Sequence, residues 1–221
     1  STSSTSQGEG STGGEGEGHE EGHNHGDHDH GHNHGHGHDH DHAHHEHPDE
    51  HVWTSPINAM RIVNAIAEEL SHLDPANKEY YTANADAYKK ELENLDKEYR
   101  MLLNSSKRKM IVFADRFPFR YLANEYQMEY VAAFSGCSTE TEVSASVVAM
   151  LVEEVKEHEI PVVFKMEFSN DGIARAVSEA SGAKILELHS AHNLTAEEIQ
   201  SGETYLTLMR KNLEALKEAL N

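Results

Sequence analysis

Apolar residues follow a regular pattern only after about residue 50 of this 221-residue chain. Ser55-Pro56 begins the first such stretch, with serine as a helix cap and proline at the first helical position. Asp74-Pro75 is predicted to end this helix, because the residue before proline disfavours helical geometry. The residues on its apolar face are Ile57, Met60, Val63, Ile66, Ala67 and Leu70.

A second, longer helix is predicted from apolar residues that are spaced by alternating fours and threes. So sustained a seam indicates packing on a neighbouring helix or sheet rather than a free coiled coil. The residues of this seam are Tyr81, Ala85, Tyr88, Leu92, Leu95, Tyr99 and Leu102.

From Lys109 onward, short apolar runs alternate with amphipathic segments. Thr195 and Glu198 form a capping-box pattern before a short helix, and a final helix has its apolar side from Tyr205 to Leu220. Repeated β–α–β units of this length predict an α/β fold, with a parallel sheet flanked by helices on both faces. The predicted strands are 110–113, 130–134, 160–164 and 183–188, and the helices between them are 119–126, 144–158 and 170–181.

Composition separates the first part of the chain from the rest. Residues 1–50 hold fourteen of the nineteen histidines and twelve acidic residues, but no Lys or Arg. They have almost no aliphatic residues, so they cannot bury enough apolar surface to offset the entropy of ordering. We therefore divide the chain into a disordered Ser/Gly/Glu- and His/Asp-rich segment (1–49), two long helices (50–104) and an α/β lobe (105–221).

The formal charge of −21 restricts the classes of partner. An acidic chain without basic clusters argues against nucleic acid and anionic membranes and favours cations. The sequence has no apolar run long enough to span a membrane, so no membrane insertion of this chain is expected. Its single cysteine, Cys137, excludes an intramolecular disulfide and a thiolate-rich zinc site.

Carboxylates and imidazoles follow the predicted strands, at the edge where open parallel sheets bind ligands. Together with a histidine just before the first helix, they predict a nitrogen/oxygen site for a divalent metal, and imidazole favours zinc. No phosphate-binding glycine loop, GxSxG or HExxH motif is present, so no enzyme and no catalytic residue are predicted. The candidate ligands are His51, Asp115, Glu167, His189 and His192.

Most of these candidates have a structural alternative. His51 is also the last member of the histidine run, and Asp115 is placed to pair with a neighbouring arginine or to cap the next helix. For Glu167 the alternative is a structural hydrogen bond, and for His192 a hydrogen bond within its own loop. His189 is the strongest of the downstream candidates because it immediately follows a strand.

One motif carries a specific resemblance. His51-Val52-Trp53-Thr54-Ser55-Pro56 follows a His/Asp-rich run and matches the pattern H-x-W-x-S-P. On this basis residues 19–221 resemble the zinc/manganese solute-binding proteins of bacterial ABC importers, especially the zinc-uptake (ZnuA-like) branch. Further similar segments are 74–88, 136–144 (a G-x-S-x-x-x-E-P-S pattern with valine in place of proline), 163–167 (V-F-K-M-E, which resembles a V-F-x-E strand end) and 205–213.

The resemblance implies a fold and a ligand set. The family has two α/β lobes joined by a long rigid connector helix, with metal between the lobes, so this chain would be the connector helix and the carboxy-terminal lobe. Where the family has F-H-D, this chain has Phe113-Ala114-Asp115, which makes Asp115 the substitute ligand. His189 would replace the aspartate of an L-D-P-L segment. This exchange favours Zn²⁺ over Mn²⁺.

The resemblance also implies a function. The chain is expected to be an extracytoplasmic protein, periplasmic or lipid-anchored at the cell surface, that delivers zinc to the permease of an ABC importer. Its histidine-rich segment would be a metal-capture loop, and the amino-terminal lobe would be supplied in cis or in trans. One alternative is a stand-alone zinc-buffering or storage protein without a transporter partner. A third is a hydrolase that uses a bound zinc.

Overall fold

The structure, a computed structural model, describes residues 49–134 and 143–221. All of these residues belong to one compact unit, Glu46–Asn221. The predicted disordered segment and capture loop, apart from residue 49, lie outside the described residues. So do Cys137 and most of the 136–144 motif.

The first two helices form as their sequence predicts. Helix α1 (Pro56–Leu73) begins where the Ser55 hydroxyl accepts the N–H of Asn58. Helix α2 (Lys78–Ser105) packs along α1 and against the last helix of the chain. The predicted apolar seam of α2 therefore packs on neighbouring helices, and its residues Leu92, Leu95, Tyr99 and Leu102 are buried together with Leu103 of the same helix.

The central sheet has four parallel strands, which confirms the predicted α/β class. They are β1 (Met110–Arg116), β2 (Glu129–Phe134), β3 (Val162–Met166) and β4 (Lys184–Leu188), in the spatial order β2-β1-β3-β4.

Two strands extend beyond their predicted ends, β3 to Met166 instead of residue 164 and β1 to Arg116 instead of residue 113. Asp115 was expected after the first strand, but it lies within β1, which continues to Arg116. The pairing of β1 with β2 shifts register between Phe113 and Arg116. Such an irregularity bends a strand and redirects its side chains, and nothing in the apolar pattern marks it.

Helices cover both faces of the sheet, as predicted. After β1 come α3 (Arg120–Tyr126), α4 (Ala145–Glu157), α5 (Gly172–Ser181), α6 (Ala196–Ser201) and α7 (Tyr205–Leu220). Alternate residues of β1 enter two cores: Phe113 packs with side chains of α2, α3 and α7, and Val112 packs with side chains of α4 and α5.

The strand order determines where a ligand site is expected. The chain passes from β1 to β2 on one side and then crosses to β3 on the other side of β1. Ligands of open parallel sheets bind at such a switch point, beyond the carboxyl ends of the strands. None of the described helices is both long and apolar enough to cross a membrane.

Candidate metal centre

The residues before α1 hold His51 in a defined orientation. One carboxylate oxygen of Asp49, Oδ1, accepts the backbone N–H of His51 at 3.0 Å and lies 2.9 Å from its Nδ1. An ionised carboxylate can only accept, so Nδ1 carries the proton and the lone pair of the neutral ring lies on Nε2. A metal ligated by His51 in this tautomer would therefore bind at Nε2.

Three hydrogen bonds fix this segment over the edge of the sheet. The Tyr121 hydroxyl, from α3, donates to the carbonyl of Asp49 at 2.8 Å. The Trp53 indole donates to the carbonyl of Ser190 at 2.9 Å, and the Tyr205 hydroxyl donates to the carbonyl of Trp53 at 2.7 Å. The segment is therefore tied to helices α3 and α7 and to the loop that follows β4.

This attachment brings two of the predicted ligands together. The ring centroids of His51 and His192 are 5.7 Å apart. Trp53 contacts both imidazoles, with centroid distances of 5.3 Å to His51 and 5.7 Å to His192. His51 is buried and His192 is exposed, so the pair lies at the protein surface with one imidazole anchored in the protein.

Glu167 holds the loop that carries His192. Its two carboxylate oxygens accept the backbone N–H of Ser190, at 2.9 Å, and the Ser190 hydroxyl in a short hydrogen bond. Ala191 has a φ of 57°, a left-handed conformation that costs a non-glycine residue about 1 kcal/mol or more. The buried Glu167–Ser190 pair stabilises this turn. The structural alternative for Glu167 is therefore present, although its partner is Ser190 rather than a near neighbour in sequence.

His189 is built into the same framework. Its backbone N–H donates to the Oδ1 of Asn212 and its carbonyl accepts from the Nδ2 of Asn212, both at 2.8 Å. Its Nδ1 accepts the N–H of Ala191 at 2.9 Å, so the neutral ring carries its proton on Nε2. In this arrangement Nε2 has no lone pair to offer a metal.

The Nε2 of His189 is buried without a hydrogen bond, although the Oε1 of Glu198 lies 3.4 Å away. These two atoms are in close contact but lack hydrogen-bond geometry. The other carboxylate oxygen of Glu198 accepts from the backbone and side chain of Thr195, in the predicted capping box. These bonds are the main reason that the pKa of Glu198 is lowered, and His189 contributes less.

Asp115 is a buried carboxylate, and one of its two oxygens has no hydrogen-bond partner. Its Oδ1 accepts the backbone N–H of Arg116 at 2.7 Å, and its Oδ2 is buried without a hydrogen-bond partner. It does not cap α3, whose N-cap is Phe119. Buried carboxylate oxygens are normally hydrogen-bonded or coordinate a cation. The Oδ2 of Asp115 can therefore still accept a hydrogen bond or coordinate a cation.

Two residues of this centre were missed by sequence reasoning. Asp49 was assigned to the disordered segment, and Trp53 was treated as part of a motif without a role. In the described part of the chain, a group of three ligand-type side chains within 4.8 Å of one another is found at Asp49, Glu50 and His51. The available signal was an aspartate two residues before a candidate metal-binding histidine.

The chain matches a known family over nearly its whole length. The family described as "Zinc-uptake complex component A periplasmic" (ZnuA) matches residues 7–219. The chain belongs to the ZnuA family. The resemblance stated from the H-x-W-x-S-P motif is thus confirmed.

Individual members of the ZnuA family are similar at moderate identity. The high-affinity zinc uptake system protein ZnuA of Bacillus subtilis is 36% identical over 172 residues, which are 78% of this chain and 53% of that protein. The zinc-binding lipoprotein AdcA of Streptococcus pneumoniae is 38% identical over 170 residues, 77% of this chain and 34% of AdcA. This chain therefore spans between a third and about half of these relatives.

A solved structure from the ZnuA family supports the fold. The Zn(II)-bound ZnuA-like domain of Streptococcus pneumoniae AdcA aligns with a TM-score of 0.67 at 38% identity, covering 78% of this chain and 64% of that domain. The parallel sheet flanked by helices is the architecture shared with ZnuA-like solute-binding domains. The assignment of individual ligands in this chain stays a prediction.

Proposed function

We propose that this chain binds Zn²⁺ through His51 and His192 and is a zinc-binding part of an extracytoplasmic solute-binding protein for an ABC importer. The observation that carries the proposal is the 5.7 Å separation of the two ring centroids. The role in uptake rests on the ZnuA family, which is described as the periplasmic component of a zinc-uptake complex, and on the similarity to a zinc-binding lipoprotein.

The separation suits two imidazoles that share one tetrahedral zinc. With Zn–N bonds of about 2.0 Å and a tetrahedral angle at the metal, the centroids of two ligating rings lie about 5 Å apart. A small side-chain adjustment of the exposed His192 covers the difference. Two neutral imidazoles also favour zinc over manganese, which prefers oxygen ligands.

Two imidazoles leave the other positions of a tetrahedral zinc open to oxygen donors. Asp115 has a buried Oδ2 without a hydrogen-bond partner, but it is not part of the group of ligand-type side chains around His51. Glu167 and His189 act differently in this proposal: they shape the loop that presents His192. In the bound state the metal would be cargo, held by a few side chains and released to the permease.

Trp53 offers a reporter for testing this site. It is the single tryptophan of the chain and contacts both imidazoles. Its fluorescence can be followed in the full chain while a chelator sets the free zinc concentration, so zinc taken up by the histidine-rich segment does not alter the reading. His51→Ala and His192→Ala should each raise the Kd by more than 100-fold, beyond the roughly 10–100-fold typical of residues around the ligands.

His158→Ala is the matched control, because His158 is an exposed histidine at the end of α4 and is not a candidate ligand. Its Nε2 lies 3.4 Å from the Oε2 of Glu154. The Kd of this variant should equal that of the unaltered chain. If the two site variants also leave the Kd unchanged, the proposed site is wrong. If Trp53 does not respond to zinc although the chain binds it, the metal is held elsewhere, as the stand-alone buffer alternative expects.

The transport role needs the rest of a two-lobed protein. Residues 49–221 can replace the corresponding part of Bacillus subtilis ZnuA, of which this chain matches 53%. We expect the chimera to restore growth of a ZnuA-deficient strain in zinc-limited medium, and the same chimera with His51→Ala to fail. A chimera that is exported and binds zinc but does not restore growth would support the buffer alternative.

A further inference from the structure

We infer that Asp49 is a positioning residue for zinc, and that it acts through His51 rather than as a ligand. This inference rests on the proposed function, because it concerns how one of the two imidazoles is prepared for the metal. Asp49 is 8% exposed and precedes the H-x-W-x-S-P motif, inside the segment that composition alone marks as disordered.

The geometry restrains His51 at two points. The same oxygen of Asp49 accepts the backbone N–H of His51 and the Nδ1–H of its ring. A ring held to its own backbone through a shared acceptor has little freedom about its side-chain torsions. The Nε2 side of His51 is then directed before any metal arrives.

Asp49 is held in place by a different part of the fold. Its backbone carbonyl accepts the hydroxyl of Tyr121, which belongs to α3 after β1. The position of Asp49 is therefore fixed by helix α3 as well as by its own turn. The α/β lobe thus helps to fix the orientation of the His51 ring, because Tyr121 holds Asp49 and Asp49 holds the ring.

The charge of Asp49 adds an electrostatic contribution. A carboxylate hydrogen-bonded to the far nitrogen of a metal-binding imidazole fixes the tautomer and raises the basicity of the ligating nitrogen. The second oxygen of Asp49, Oδ2, is buried without a hydrogen-bond partner. A cation on the imidazole next to it partly compensates that buried charge, so binding and charge compensation favour one another.

Two other roles for the acidic residues predict different results. Asp49 and Glu50 both lie within the group of ligand-type side chains around His51. If they merely attract cations, loss of either charge should weaken zinc binding equally. If Asp49 ligates the metal directly, its loss should matter whether or not His51 is present.

The test is a double-mutant cycle in the full chain, read by Trp53 fluorescence at buffered free zinc. Asp49→Asn keeps an acceptor oxygen but loses the charge, and Asp49→Ala loses both. We expect Kd to rise by roughly 10–100-fold, with asparagine at the lower end and alanine at the upper end. Glu50→Gln removes the charge of the exposed neighbour in the same group, and it should raise Kd less than Asp49→Asn does. In the His51→Ala background, Asp49→Ala should have no further effect.

A second measurement needs no zinc. The ¹⁵N chemical shifts of the His51 ring, assigned by their loss in His51→Ala, should show a proton on Nδ1 in the metal-free chain. In Asp49→Ala they should show a mixture of tautomers. An unchanged tautomer, an equal effect of Asp49→Ala in both backgrounds, or a Glu50→Gln effect as large as that of Asp49→Asn would overturn the inference. If His51→Ala itself leaves Kd unchanged, the proposed function fails as well, which distinguishes the two failures.

Discussion

The indole of Trp53 donates a hydrogen bond to the carbonyl of Ser190 over 2.9 Å. This bond joins the turn that carries His51 to the loop that carries His192, two segments that lie far apart in the sequence. The two proposed ligands and the bond that joins their segments thus come from the same pair of segments.

Replacing Trp53 by phenylalanine tests this link. Trp53→Phe keeps an aromatic ring but removes the donor to Ser190, so the two segments should become less firmly joined. We expect a loss of about 1 kcal/mol of unfolding free energy, the typical net value of one hydrogen bond. The measurement is urea unfolding of the metal-free chain. Zinc should also stabilise this variant against heat less than it stabilises the unaltered chain, and equal stabilisation would contradict the link.

The two histidines after β4 should behave in opposite ways. His192 is exposed, so His192→Ala should weaken zinc binding while leaving the metal-free stability within about 0.5 kcal/mol. His189 is 4% exposed, and its ring accepts the N–H of Ala191. His189→Ala should therefore destabilise the metal-free chain by about 2 kcal/mol, because it leaves a cavity and removes the acceptor of the Ala191 N–H.

Zinc affinity and unfolding free energy measured on both variants check this contrast. A large loss of affinity without a loss of stability in His189→Ala would show instead that His189 is a ligand, as expected from its position after the strand.

Glu167 should be worth more to the fold than an ordinary surface carboxylate. It is buried and accepts two hydrogen bonds from Ser190. Glu167→Gln places an amide N–H₂ where one of these donors points, so we expect a loss of about 1.5–3 kcal/mol, as for hydrogen bonds to charged groups. Ser190→Ala, which removes only the hydroxyl donor, should cost less. Urea unfolding measures the loss of unfolding free energy in both variants. A larger loss in Ser190→Ala than in Glu167→Gln would contradict this role of Glu167.

Stability in acid should depend partly on Glu198. Its bonds to Thr195 lower the pKa of its carboxyl below the ordinary value of 4.5. A lowered folded-state pKa contributes stability that is present above pH 4.5 and lost as the pH falls through the folded-state value. Glu198→Gln should therefore flatten the loss of unfolding free energy below pH 4.5. Glu197→Gln, on the same first turn of α6, is the control and should retain the slope of the unaltered chain.

Local chemistry allowed much of the fold to be predicted. Ser55 and Pro56 start α1, and Thr195 with Glu198 starts α6, because capping depends on residues within one turn of each other. The parallel sheet followed from alternating apolar runs and amphipathic segments. The continuation of β1 through Asp115 did not, because the register shift arises between strands and leaves no mark on the apolar pattern.

The site was harder to predict because its geometry depends on distant contacts. His189 was favoured for following a strand, yet its tautomer is set by the turn at Ala191, and its backbone is held by Asn212 of α7. Asp49 was grouped with a low-complexity segment by composition. Its proposed role depends on hydrogen bonds to the backbone and the ring of His51, which a spacing pattern suggests but does not establish.

The location of the bound zinc is the most direct test. Crystals of the full chain grown with about one equivalent of Zn²⁺ can be measured above and below the zinc absorption edge. We expect an anomalous difference peak within about 2.0–2.1 Å of His51 Nε2 and of one imidazole nitrogen of His192, as for zinc–histidine bonds. A peak at His189 or Glu167 instead, with His51 and His192 uncoordinated, would contradict the proposed centre.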